Sequence, residues 1–177
     1  MRGILLRKLE TVTRMAEIGK RQGLKRQVFA VSMPGFDTHD DQHARHSMLL
    51  RELSLSLWHF QEAIDALGMA DKVTLFTQSD FGRTLAPNNS GTDHAWGGNQ
   101  LVVGAAATGH LVGSEGDLAP DMSEQSLQMI DERRSRIIPT LAHEQTLASL
   151  LVWFGVPEAE IQNILPRYQN FSGPVAL

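Results

Sequence analysis

Apolar residues recur at three- and four-residue steps through Leu5, Leu9, Val12, Met15 and Ala16, which predicts a helix over about residues 3–19. After Gly23 the period changes. Residues 27–33 (QVFAVSM) are a compact apolar run of strand length, closed by Pro34 and Gly35. Helical spacing returns over about residues 44–67, carried by Leu49, Leu50, Leu53, Leu57, Phe60, Ile64 and Leu67, with Gly68 placed to stop it. Residues 73–77 (VTLFT) suit a buried strand, and residues 101–107 suit another. Residues 109–136 are polar, with a weak helical signal over 126–130, and read as an excursion or long loop. Thr140 can cap a helix through Leu147, Leu150, Leu151 and Trp153 that Gly155 ends, and Pro157 opens a short helix to about Leu165.

Strand, helix, strand with a crossover of this length is the unit that makes a parallel pair. Residues 28–33 and 73–77 are therefore expected side by side in an α/β fold, with Asp37 and Asp80 at the same sheet edge. No repeat, low-complexity tract or linker divides residues 1–177, so a single α/β domain is expected.

Composition narrows the chemistry. The chain has 177 residues and a formal charge of −4, yet residues 1–26 hold eight Lys and Arg against only Glu10 and Glu17. That basic start could mark targeting or a nucleic-acid contact, but its apolar stripe is better explained by a helix packed on a core. No apolar run is long enough for a membrane span, and the opening MRGILLRKLE is too short in its apolar part for a signal peptide. With no cysteine, any metal must be held by His, Asp, Glu or backbone oxygen.

The candidate chemistry gathers in 73–98, VTLFTQSDFGRTLAPNNSGTDHAWGG. A carboxylate just past a strand is a usual ligand-binding position in an open α/β sheet, and Asp80 stands there, as Asp37 with His39 stands past the earlier run. Turn formers at 88–91 deliver the chain to Asp93 and His94, which precede Trp96, Gly97 and Gly98. These groups are expected to form one site, with Arg83 serving either the carboxylates or an anionic ligand. Each has a plainer explanation: an Asp that caps a turn, a His bonded to a carbonyl, an Arg in a surface ion pair worth little. His43, His46, His59, His110 and His143 read as helix or surface residues. Trp58, Trp96 and Trp153 read as core or pocket wall, since no basic patch surrounds them in the sequence and no nucleic acid is expected.

The words MPGFDTH, LFTQSDFGRT, GTDHAWGG, RIIPT and LVWFGVP, in this order, resemble the bacterial domain-of-unknown-function family 1501 over almost the whole chain. That family is similar in turn to the alkaline phosphatase and sulfatase superfamily of metal-dependent hydrolases on an α/β/α sandwich with a mainly parallel sheet. The resemblance implies a truncated alkaline-phosphatase-like fold and an uncharacterised hydrolase acting on a small phosphate or sulfate ester. Asp37, His39, Asp80, Asp93 and His94 would hold divalent cations (zinc, manganese, magnesium or calcium), and Arg83 would bind the anion. Three departures stand against it. Asp37 and His39 are two residues apart where the superfamily spaces the pair by four; Phe81 stands where its second word carries a His; and the nucleophile comes from an amino-terminal portion not found here. The chain therefore looks like a carboxyl-terminal half. The alternative is a non-catalytic metal-binding or assembly module, or a half-chain that buries its sheet edge in a homo-oligomer. Family members commonly carry a twin-arginine export signal, which implies a parent protein outside the cytoplasm; this sequence shows none.

Overall fold

The first apolar stripe is realised as helix α1 (Ile4–Arg21) in the computed structural model, which describes residues 3–109, 136, 139 and 141–177. The chain divides into two compact units, Met1–Val73 with Pro87–Asp93, and Thr74–Ala86 with His94–Leu177.

In the first unit, α1 packs on α2 (Gln42–Ala66). Leu5, Leu9 and Ala16 of α1, with Phe60 and Ile64 of α2 and Met69 beyond it, are buried. Burying a side chain of the Leu, Ile or Phe class contributes about 1.5–3 kcal/mol, so this apolar seam holds the pair together. Two polar contacts at its ends set direction. Glu52 Oε1 accepts the Leu5 N–H at 2.8 Å, covering an open amide at the start of α1. Lys20 Nζ donates to Leu67 O at 2.7 Å, placing a cation on an open carbonyl at the end of α2. Both pairs are separated by 47 residues, so the two helices run in the same direction. Gly68, at φ 63°, stops α2 as its position predicts.

The chain between the two helices corrects the expected strand. Residues 27–33 form no strand: Val28 is 82% exposed, and Ser32 is held by Lys8, whose Nζ donates to Ser32 O at 2.6 Å. A short apolar run specifies extended backbone but not the non-local strand that would pair with it.

In the second unit β1 (Thr74–Phe76) pairs with β4 (Val102–Gly104), and the pair is antiparallel, with Leu75 opposite Val103. Threonine hydroxyls extend it: Leu101 N donates to Thr77 Oγ1 and Ala106 N to Thr74 Oγ1, both at 2.9 Å. The second sheet is a hairpin of β2 (Gly82–Asn88) and β3 (Gly91–Ala95), whose tip, residues 87–93, belongs to the first unit. Asn89 occupies its turn at φ 54°. A two-residue connection of this kind joins strands only as antiparallel neighbours. The described residues thus form two small antiparallel sheets. The mainly parallel α/β/α sandwich, and with it the truncated alkaline-phosphatase-like fold, is overturned.

Helices α3 (His143–Phe154) and α4 (Glu158–Ile164) follow, with Ala148, Leu150 and Ile161 buried. Gly155 ends α3 at φ 94°, and Pro157 precedes α4, both where the sequence puts them. Gln145 ties the tail to α3: its Oε1 accepts from Ala142 N at 3.1 Å and its Nε2 donates to Gly173 O at 3.0 Å. Thr140, His110 and the helical signal over 126–130 lie outside the described residues. No described helix is long and apolar enough to cross a membrane.

Candidate metal centre

Pro34 and Gly35 end the extended run, and the chain turns at once. The Thr38 N–H donates to Phe36 O at 3.0 Å, closing a three-residue turn centred on Asp37. Thr38 is fully buried in this turn, whereas Asp37 and His39 stay half-exposed on either side of it. His46, on α2, anchors the turn. Carbonyl oxygens only accept, so its Nε2 carries a proton and faces both Phe36 O at 3.2 Å and Thr38 Oγ1 at 2.9 Å. His46 is therefore a structural residue of this loop. Thr38→Val, which keeps the shape and removes the acceptor, is expected to cost the first unit about 1–2 kcal/mol in urea denaturation, with Thr38→Ser recovering most of it.

The hairpin tip brings in the third group. Gly91 lies against the His39–Asp40 peptide, Thr92 N donates to Thr38 O at 3.3 Å, and Gln42 N donates to Ser90 O at 2.9 Å. Backbone is thus laid on backbone, and Asp93 arrives beside His39. Asn88 Nδ2, across the turn, donates to Asp93 Oδ1 at 2.8 Å and fixes the carboxylate.

The result is an imidazole between two carboxylates. His39 Nε2 lies 3.0 Å from Asp37 Oδ1, and His39 Nδ1 lies 3.6 Å from Asp93 Oδ1. A neutral imidazole has one N–H and one lone pair, while an ionised carboxylate only accepts. In its neutral form the ring can donate to only one of these two carboxylates, and an N–H on Nε2 would suit the 3.0 Å contact with Asp37. The lone pair on Nδ1 then faces Asp93 across a wider gap. That gap suits a cation. Zinc-like bonds of 2.0–2.2 Å to both atoms place tetrahedral ligand atoms about 3.4 Å apart. With a cation in that gap, Asp37 would be the outer carboxylate that orients the imidazole. The donors, one nitrogen and one carboxylate oxygen with no sulfur, suit zinc or a harder divalent ion.

The remaining predicted residues lie in the second unit. Asp80 is exposed in the turn between β1 and β2, where Ser79 Oγ donates to Phe81 O at 2.9 Å, and no ion pair involves Asp80 among the described residues. Phe81 stacks on His94, with ring centroids 3.9 Å apart and planes 15° from parallel. Arg83, on β2, places its guanidinium carbon 5.9 Å from the Phe81 centroid. Arg83, Asp93 and His94 therefore stand on strands of the hairpin, where a pair of loops was expected. Sequence reasoning missed Thr38 and Asn88 as supports. Asn88 carried a usable signal, since it ends β2 at the two-residue turn and Asp93, the third residue of β3, lies diagonal to it across the hairpin, within reach.

His143 Nδ1 meets Gln100 Nε2 at 2.6 Å, and His59 packs on the neighbouring Trp58 at 4.6 Å between centroids, both as ordinary surface contacts. A family model described as a protein of unknown function, DUF1501, matches residues 14–151. No curated protein and no solved structure matches the chain.

Proposed function

The chain belongs to the DUF1501 family of proteins of unknown function, and on that footing we propose that it binds a divalent cation through His39 Nδ1 and the Asp93 carboxylate, as part of a metal-dependent hydrolase-like protein. The observation behind this is the clamped imidazole, with one nitrogen at hydrogen-bonding distance from Asp37 and the other facing Asp93 at 3.6 Å. The side chains of Asp37 and His39 are about half exposed, at 51% and 49%, so water or an anionic ester has access to the same point. An open position of this kind is what distinguishes catalytic from structural zinc sites. A divalent cation there would supply Lewis-acid polarisation and charge neutralisation for attack on a phosphate or sulfate ester. The protein's own share is to hold the ring through Asp37 and the carboxylate through Asn88.

The five sequence words resemble the DUF1501 family, and the ester as substrate class follows from that family's similarity in turn to alkaline phosphatases and sulfatases. A non-catalytic cation-binding module is the second reading, favoured by Phe81 at the position of the superfamily's His and by its stack on His94. Calorimetric titration with zinc, manganese, magnesium and calcium, followed by assay of the loaded protein on aryl phosphates and sulfates, separates the two. Saturable binding that His39→Ala abolishes, with turnover, is the expected result for the hydrolase. Binding without turnover leaves the module, and no binding of any of the four ions overturns both.

A further inference from the structure

The chain leaving α1 doubles back along that helix and is fastened to it at two points. The Gln27 side chain lies against Gly19, and Lys8 Nζ donates to Ser32 O at 2.6 Å. From Gly19 back to Lys8 the helix covers eleven residues, about 16 Å at a rise of 1.5 Å each. From Gln27 to Ser32 the returning chain covers a similar length in five residues, about 3.3 Å each, which is the rise of a β-strand. Yet among the described residues, 28–33 make no backbone–backbone hydrogen bond. With Val28 82% and Val31 37% exposed, the segment is a strand edge with no sheet. Beside it runs a groove of about 460 Å³, with Thr11, Val12 and Met15 of α1 on one side and residues 28–32 on the other. Arg7 and Arg14 stand one helical row farther round, four and three residues from Thr11. Both are exposed, and neither has an ion pair among the described residues. Lys8 adds a third positive charge at the groove itself.

We propose that this groove binds an extended acidic peptide segment of a partner protein, which adds a strand to residues 28–32 while its carboxylates meet Arg7 and Arg14. In strand addition the main-chain bonds supply affinity and alternate side chains supply specificity. Apolar side chains of the peptide rest on Val12 and Met15, and the intervening carboxylates reach the two guanidinium groups, whose flat forks match them. A second copy of this chain is the poorer occupant. Its own residues 28–32 would bring a second basic α1 with them, and two arginine rows would then repel across the groove. A lipid surface is poorer too, because a membrane-bound helix presents an apolar face to the bilayer and leaves main-chain groups in a groove unpaired. The proposal is independent of the cation site, since no group of the groove belongs to the Asp37, His39 and Asp93 cluster.

The test is fluorescence anisotropy of the whole chain in EDTA, so that a failure of cation binding cannot affect it. The probe is a short labelled peptide, capped at both ends, in which Val and Glu alternate. It is expected to bind at least about tenfold more tightly than its Val/Lys counterpart, since like charges disfavour the second. Arg7→Gln combined with Arg14→Gln should weaken the Val/Glu peptide by about tenfold and flatten its salt dependence. Both residues are exposed, so circular dichroism of this variant should match the parent. N-methylation of every second peptide amide isolates the strand pairing, because only alternate N–H groups of an added strand face its neighbour. One methylated register should lose binding by at least about tenfold and the other keep it. Equal affinity for the Val/Glu and Val/Lys peptides, or equal binding of the two methylated registers, would overturn the proposal. So would a dimer in sedimentation that excludes the peptide, which gives the groove to a second copy, or binding to phosphatidylserine vesicles without binding to the peptide, which gives it to a membrane.

Discussion

Gly91→Ala is expected to destabilise the first unit by about 3 kcal/mol and to weaken cation binding with it. A methyl group at Gly91 would fall on the carbonyl carbon and oxygen of His39 and lie 2.6 Å from Asp40 N. All three are main-chain atoms, so no flexible side chain can swing away. The start of β3 must instead separate from residues 38–42. That strains the Thr92 N to Thr38 O bond, the Gln42 N to Ser90 O bond and the 3.0 Å bond from Asp41 N to Ser90 Oγ. Gly91 does not have positive φ, so the demand here is for space and not for a left-handed conformation. Gly23 supplies the contrast. It has φ 71° and nothing within 4 Å of a built Cβ, so Gly23→Ala pays only for its backbone conformation, about 1 kcal/mol. Urea melts should show a lower midpoint for Gly91→Ala than for Gly23→Ala at similar slope. Equal midpoints would mean that the close approach of Gly91 to His39 does not matter.

The same contrast shows what could be seen in the sequence. α1, α2, α3 and α4 were legible because helix formation and helix ends are local: periodic apolar residues mark the buried face, and Gly68 and Gly155 end their helices at positive φ. Strand pairing is not local. Val73–Thr77 was recognisable as a strand, but its partner is β4 in antiparallel register, and residues 27–33, with equally good composition, have no strand at all. The apolar pattern says which backbone is extended and which face wants burial; the partner is chosen by chain closure and packing that no short window contains. The hairpin was hidden by its polar content. The turn formers at 88–91 suggested a loop, although Asn89 at φ 54° is a residue type that suits a two-residue hairpin connection.

The site was legible in the same uneven way. Two residues of spacing put Asp37 and His39 on either side of a buried Thr38, close enough for the 3.0 Å contact between them. Asp93 was a candidate from its neighbours alone. What joins it to His39 is the backbone contact at Gly91, 52 residues away in sequence from His39, and nothing in either segment announces that contact.

Substitutions within the cluster should rank by role. His39→Ala removes the imidazole and is expected to abolish cation binding. Asp93→Asn keeps the shape and the Asn88 contact to Oδ1 but removes the charge that would meet the cation, so its loss should exceed the roughly hundredfold that marks an orienting partner. Asp37→Asn leaves the ring in place and weakens only its outer hydrogen bond, so about ten- to a hundredfold is expected. Thr38→Val should lower stability yet leave affinity nearly unchanged, which separates damage to the loop from damage to the ligands. The order matters more than any one value. If Asp37→Asn costs as much as His39→Ala while Asp93→Asn binds as the parent does, the ring is turned the other way: Nε2 faces the cation, Asp37 is the ligand and Asp93 the orienting group. If both Asp variants bind normally and His39→Ala does too, the 3.6 Å gap between Nδ1 and Asp93 has nothing to do with a cation.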